Sequence, residues 1–109
     1  MYDPTKSREW KRQILFKVKD QADYPKEPLA TAIRMKLLFY MPRPKSLKKS
    51  IRHHTKKPDV DNLVKAVKDA LSGYCYVDDS QVIDLRAEKI YNPDEEGLPG
   101  VFIQIEEVI

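Results

Sequence analysis

Two aspartates and a lysine lie close together in the middle of this chain of 109 residues. One residue separates Asp59 from Asp61, and Lys65 follows Asp61 by about one helical turn. A second acidic pair, Asp78 and Asp79, lies further along the chain. Carboxylate oxygens suit Mg²⁺, and a nearby lysine can stabilise charge that develops on a reacting phosphate. These residue types therefore indicate metal-dependent phosphodiester chemistry.

The four aspartates can serve as metal ligands only if the fold brings the two acidic pairs together. Mg²⁺ keeps several waters, so a site needs only two or three carboxylates. Carboxylates held that close repel one another, which raises their pKa values until a cation binds. Two bound ions would clamp the attacking and leaving oxygens of a phosphodiester. The expected metal ligands are Asp59, Asp61, Asp78 and Asp79.

A run of basic residues directly precedes the first acidic pair. In residues 43–57, here called the basic loop, only Leu47 and Ile51 are apolar, so we expect a mobile loop that adds nothing to the core. Its cations would release counterions on meeting a phosphate backbone, which gives salt-dependent binding without reading of base sequence. We expect His53 and His54, which are adjacent, to contact phosphate and not a metal. The predicted DNA-binding residues are Arg43, Lys45, Lys48, Lys49, Arg52, Lys56 and Lys57.

Charge is distributed unequally between the two halves of the chain. Residues 1–57 contain sixteen Lys/Arg and five Asp/Glu, a net +11, whereas residues 58–109 contain four and twelve, a net −8. Such asymmetry favours a polyanionic partner. The acidic half can meet phosphates only if cations intervene, which again points to metal ions.

Hydrophobic periodicity predicts the elements that position these residues. Apolar residues at helical spacing predict a helix from Pro4 to about Ala22 and a second from Asp59 or Asp61 to Leu71, with Asp59 as N-cap and Ser72-Gly73 as the stop. Alternating residues predict strands over Thr31–Tyr40, Ser80–Tyr91 and around Val101–Ile105, with a hairpin loop at Asn92–Pro99. The predicted fold class is α/β (α+β): a small mixed β-sheet packed with two helices.

Each candidate residue also has a purely structural interpretation. Asp59 can be only an N-cap, and Asp61 only an acid that the helix dipole favours in the first turn. Lys65 can simply pair with Asp61 at (i, i+4) spacing, and Asp78-Asp79-Ser80 can be a turn. The basic loop can be a solvated surface segment. The combination of these features in a chain this short favours a catalytic role over the purely structural interpretation.

Composition excludes several classes of protein. No apolar run approaches the roughly 20 residues of a membrane-spanning helix, and the charged first residues do not form a signal peptide. Cys75 is the only cysteine, so neither a disulfide framework nor a cysteine-based zinc site can form. We expect a single cytoplasmic domain over residues 1–109.

Two stretches resemble the RusA family of Holliday-junction resolvases. Residues 57–73 read KPDVDNLVKAVKDALSG, and residues 77–82 read VDDSQV. The shared pattern is two acids as DxD, asparagine next, lysine four residues after the second acid, a D-A-L ending and a DD-[SA]-Q-V block. The main likeness spans residues 57–91, and the flanking strands and basic loop agree in order.

The resemblance implies a homodimeric endodeoxyribonuclease that cuts four-way DNA junctions symmetrically with Mg²⁺ or Mn²⁺, in recombination and repair. Asp59, Asp61 and Asp79 match the family's essential acids, Lys65 matches its essential lysine, and Asp78 lies beside the third acid. Many members come from bacteriophages or prophages, so a prophage origin is expected here.

One departure from the family is the start of the chain. Members usually begin with an apolar strand and a Pro- and Arg-containing loop, and this chain lacks both before Tyr2. We therefore expect a sheet one strand short, with an edge open to pairing. The rival interpretations are a DNA-binding module without catalysis, a nuclease for flaps, forks or RNA, and a purely structural interaction protein.

Overall fold

The computed structural model describes residues 24–93 and 99–109. Strand β1 spans Ile33–Met41, and helix α1 spans Val60–Leu71. A short 3₁₀ helix at Asp79–Gln81 leads into strand β2, which spans Val82–Tyr91. The last strand, β3, spans Gly100–Glu107. This order agrees with the prediction. The predicted first helix, Pro4 to about Ala22, lies outside the described residues.

The three strands form one mixed sheet in the order β2-β1-β3. Strand β1 pairs in parallel with β2, with Leu37 opposite Ala87, and antiparallel with β3, with Leu37 opposite Ile103. A small α+β fold with a mixed sheet is thereby confirmed. The expected N-terminal departure from the family remains a prediction.

The predicted hairpin between β2 and β3 is wrong, because these strands lie on opposite sides of β1. Part of the outer edge of β2 is already occupied by the basic loop. The N–H of Tyr91 donates to the carbonyl of Arg52 at 2.8 Å, and that of His54 donates to the carbonyl of Lys89 at 3.3 Å. The last strand therefore pairs with the other edge of β1.

The core lies between one face of β1 and the apolar stripe of α1. Alternate residues of β1 are buried, as the sequence pattern predicts, and each fully buried side chain of this size contributes about 1.5–3 kcal/mol. Helix α1 ends where predicted, at Leu71, with Ser72 as its C-cap. Gly73 follows with φ of 85°, a conformation that glycine adopts without steric cost. The core residues of the two elements are Ile33, Met35, Leu37, Phe39, Leu63, Val64, Val67, Ala70 and Leu71.

Strand β2 is more exposed than its alternating pattern predicts. Ile83 and Leu85 are 60% and 42% exposed, whereas Ile90 and Tyr91 at the end of the strand are buried. The physical reason is position: β2 is an edge strand, and the buried core cluster draws its strand residues from β1. None of the helices among the described residues has the length and hydropathy to cross a membrane.

Candidate functional site

The first acidic pair lies at the start of α1. Asp59 is the N-cap in an extended conformation, as predicted, and its carbonyl accepts the N–H of Leu63 at 3.2 Å. Its carboxylate makes no capping hydrogen bond, so the helix does not use these oxygens. Asp61 in the first turn and Lys65 one turn later are exposed as well. Both carboxylates and the ammonium therefore face solvent at the same end of the helix.

Asp78 caps the 3₁₀ helix that leads into β2. Its Oδ2 accepts the N–H of Ser80 at 2.9 Å, and its own N–H donates to Oε1 of Gln81 at 2.7 Å. These bonds form a capping box. Hydrogen bonds from the hydroxyl and the backbone N–H of Ser80 hold the pKa of Asp78 below its usual value. The structure thus gives Asp78 a capping role whether or not it binds a metal.

Asp79 is held by a buried tyrosine. The hydroxyl of Tyr76 donates to Oδ1 of Asp79 at 2.9 Å and lies 3.4 Å from the carbonyl oxygen of Lys68 in the last turn of α1. Tyr76 is fully buried. Burial first, and then the hydrogen bond to Asp79, raise the pKa of Tyr76, so its hydroxyl keeps the proton that it donates. Asp79 itself is half-buried.

The two acidic pairs lie near opposite ends of α1. Asp61 is in the first turn, whereas the hydroxyl of Tyr76 links Asp79 to Lys68 in the last turn. Lys68 follows Asp61 by seven residues, so the two lie roughly 10 Å apart along the helix axis. Within residues 24–93 and 99–109, no group of three or more His, Cys, Asp or Glu residues is placed to hold a metal ion. The donor atoms suit Mg²⁺ chemically, but the four predicted ligands do not come together as a single site.

The basic loop presents most of its cations to solvent. All of the predicted DNA-binding residues except Arg43 are exposed, and the loop runs directly into Asp59. The exposed set is Lys45, Lys48, Lys49, Arg52, Lys56 and Lys57.

Arg43 differs from the other predicted DNA-binding residues because it is only 9% exposed. Its Nε donates to the carbonyl of Asn92 at 2.8 Å, and its two terminal nitrogens donate to the carbonyls of Lys48 at 3.1 Å and Ile51 at 2.7 Å. Its guanidinium carbon also lies 5.5 Å from the centre of the Tyr91 ring. These bonds tie the loop to itself and to the residue after β2, an inward role for Arg43 that the sequence did not predict.

The adjacent histidines have different surroundings. His53 is exposed, with Nε2 3.4 Å from Oε2 of Glu88. His54 meets the ring of Tyr91 edge-on at 5.0 Å, and its Nδ1 is buried without a hydrogen-bond partner. Burial first, and then the charge of Lys89, lower the pKa of His54. His54 is therefore held as a neutral packing residue, whereas His53 faces the solvent within the loop.

Sequence reasoning missed three polar residues that organise this region. Tyr76 holds Asp79, and Gln81 donates from Nε2 to the carbonyls of Leu29 and Thr31, both at 2.8 Å. Lys89 donates to the carbonyls of Lys56 and Pro58. A signal existed for Gln81, since its place three residues after Asp78 is the capping-box spacing. Tyr76 and Lys89 give no such signal, because their partners are distant in sequence or depend on the fold.

Comparison with known proteins agrees with the resemblance seen in the sequence. The sequence model of the family described as endodeoxyribonuclease RusA matches residues 1–106. The chain is also 36% identical over 118 aligned positions to the uncharacterized protein YqaN of Bacillus subtilis (strain 168), an alignment that covers 99% of this chain and 79% of that protein. A family match over nearly the whole length shows that the chain belongs to the RusA family of endodeoxyribonucleases.

Proposed function

We propose that this protein is a Mg²⁺-dependent endodeoxyribonuclease that resolves four-way DNA junctions by paired phosphodiester hydrolysis, in recombination and repair. Membership of the RusA family indicates endodeoxyribonuclease activity on Holliday junctions. One observation supports the proposal most directly: the exposed cations of the basic loop lead straight to two exposed aspartates and Lys65 at the start of α1. DNA held by the loop would place a phosphate beside these side chains.

The basic loop and the helix start would share the binding of the DNA backbone. Each phosphate that an exposed lysine or arginine neutralises releases counterions, so affinity should fall steeply with salt. The carboxylate of Asp59 leaves the first backbone N–H groups of α1 uncapped, and such groups attract phosphate oxygens. Lys65 would add a point charge that stabilises the leaving oxygen or the pentacovalent transition state.

Asp59 and Asp61 are the residues that we propose as metal ligands, with Mn²⁺ as a possible substitute for Mg²⁺. One or two carboxylates suffice for Mg²⁺ when substrate phosphates complete the coordination. A bound Mg²⁺ would supply charge neutralisation and a more acidic water as the nucleophile. Asp78 and Asp79 lie near the other end of α1, and we propose that they join the metal site in the substrate-bound form.

Paired cuts imply two active sites, so we propose a homodimer that places one site at each of two opposed strands of the junction. A cytoplasmic location and a prophage origin are proposed with the same family context. Neither adds to the chemistry of the site.

The direct test is cleavage of an end-labelled four-way junction by the full chain with Mg²⁺ or with EDTA. We expect paired nicks with Mg²⁺, no nicks with EDTA, and none from Asp61→Asn. Asp69→Asn is the matched control, because Asp69 is another exposed aspartate of the same helix outside the proposed set. Cleavage by Asp61→Asn at the wild-type rate would refute the proposed mechanism. Flaps, forks and RNA with the same arms test the choice of substrate.

A second candidate function is junction binding without cleavage. It is favoured because no three His, Cys, Asp or Glu residues in the described part of the chain are grouped to hold a metal ion. It predicts salt-dependent binding that is the same with Mg²⁺ and with EDTA and is unaffected by Asp61→Asn. A gel-shift titration under both conditions distinguishes it from the nuclease, which would bind and also nick.

A further inference from the structure

We propose that Arg43 and Lys89 are positioning residues that hold the basic loop in its DNA-binding conformation without touching DNA themselves. The DNA-binding part of this inference rests on the proposed function. The structural part does not, because it concerns hydrogen bonds within the free protein. Together these two inward-facing cations are called the loop clamp.

Arg43 holds the entrance of the loop. Two of its three hydrogen bonds go to carbonyls within the loop, those of Lys48 and Ile51, and the third goes to Asn92, just after β2. One planar guanidinium with five N–H groups can serve three separate carbonyls, whereas the compact ammonium of lysine cannot reproduce that geometry. Since Arg43 is buried, its charge is directed at the protein backbone and not at solvent.

Lys89 holds the exit of the loop. Its Nζ donates to the carbonyl of Lys56 at 2.6 Å and to that of Pro58 at 2.7 Å. Its own carbonyl accepts the N–H of His54. Lys89 therefore joins β2 to two residues of the loop, His54 and Lys56, and to Pro58, which directly precedes Asp59.

The clamp explains how a segment with so many like charges can be ordered. Its exposed lysines and arginines repel one another, which favours extended, variable conformations. Backbone carbonyls of the loop point inward and accept hydrogen bonds from Arg43 and Lys89. The other lysines and arginines of the loop then face outward. Ordering the loop in advance lowers the entropy lost on binding DNA, so the clamp should increase affinity without adding a phosphate contact.

The test compares Arg43→Lys and Arg43→Ala with the same changes at Arg52, an exposed arginine of the same loop. Hydrogen exchange of the free, full-length protein reports loop order, and junction binding at several salt concentrations reports contacts. For a clamp, Arg43→Lys should speed exchange of the Ile51 and His54 amides about tenfold, as expected if about 1.4 kcal/mol of local stability is lost. It should also weaken junction binding about as much as Arg43→Ala does, by about tenfold.

The Arg52 variants should behave differently. Neither Arg52→Lys nor Arg52→Ala should change exchange, and Arg52→Ala should reduce the slope of log affinity against log salt by about 0.9. If Arg43→Lys instead matches wild type in exchange and in binding, Arg43 acts only as a charge and the clamp is refuted. The same holds if Arg43→Ala changes the salt slope alone.

Exchange of the Met35 and Leu37 amides in β1 shows whether each variant is folded. If the Arg43 variants unfold, Lys89→Met tests the exit of the loop separately. We expect faster exchange of the His54 amide and unchanged exchange of the Leu47 amide. Unchanged exchange at His54 in folded Lys89→Met would refute the clamp. If the wild-type protein binds no junction DNA, the proposed function fails, while the exchange data still decide whether the clamp exists.

Discussion

Replacing Tyr76 with phenylalanine tests how Asp79 is positioned. The change removes the hydroxyl that donates to Oδ1 of Asp79 at 2.9 Å and keeps the buried ring in the core. The carbonyl of Lys68 near the same hydroxyl keeps another partner, since it also accepts the N–H of Ser72 at 2.8 Å. The substitution therefore removes one hydrogen bond to a carboxylate without leaving that carbonyl unpaired.

The expected loss follows from the burial of the two partners. A hydrogen bond to a charged group contributes about 1.5–3 kcal/mol. Asp79 is half-buried and can recover part of this from water, so we expect the free energy of unfolding to fall by about 1–2 kcal/mol. For a chain of this size that lowers Tm by about 4–8 °C.

Urea denaturation and thermal melting measure this loss, with Tyr74→Phe as the matched control. Tyr74 lies in the same turn but is 45% exposed, so loss of its hydroxyl should change stability by less than about 0.5 kcal/mol. Equal stability of Tyr76→Phe and wild type would refute the inference that Tyr76 fixes Asp79. If Asp79 takes part in catalysis, Tyr76→Phe should also slow junction cleavage at temperatures where it remains folded, whereas Tyr74→Phe should not.

Two further predictions concern pH and the core. Because burial and Lys89 lower the pKa of His54, the unfolded chain binds more protons than the folded protein just below pH 6.5, and stability should fall as pH decreases through that window. Tm measured from pH 7.5 to pH 5 should fall less for His54→Gln than for wild type or for exposed His53→Gln; equal slopes would contradict this. Phe39→Ala should cost about 3–5 kcal/mol, because Phe39 is buried against α1. Phe102→Ala on β3, where the ring is 49% exposed, should cost much less; equal losses in urea denaturation would mean that the core is misplaced.

Local sequence determined most of the elements. The alternating residues of β1, the apolar stripe of α1 and the Ser72-Gly73 stop appear in the structure close to their predicted limits. Periodicity and capping act over a few residues, so they can be interpreted without knowing the fold. The acidic pair and lysine at the start of α1 were found in the same way, because their spacing along one helix fixes where they lie.

Tertiary structure decided how these elements pair and which polar side chains are buried. Alternation alone cannot reveal that β3 pairs with β1 instead of β2, or that Ile83 and Leu85 lie on an exposed edge strand. A run of seven basic residues likewise gives no indication that Arg43 alone turns inward, because its partners include Asn92, which follows a different strand.

The separation of the acidic pairs is also a property of the fold. The sequence places Asp59 and Asp61 at one end of α1, but the position of Asp79 depends on the chain after α1 and on the hydroxyl of a buried tyrosine. Local sequence therefore determined the chemistry that each part of the chain offers. Contacts between residues distant in sequence, which depend on packing and on hydrogen bonds to the backbone, decided the distances between those parts.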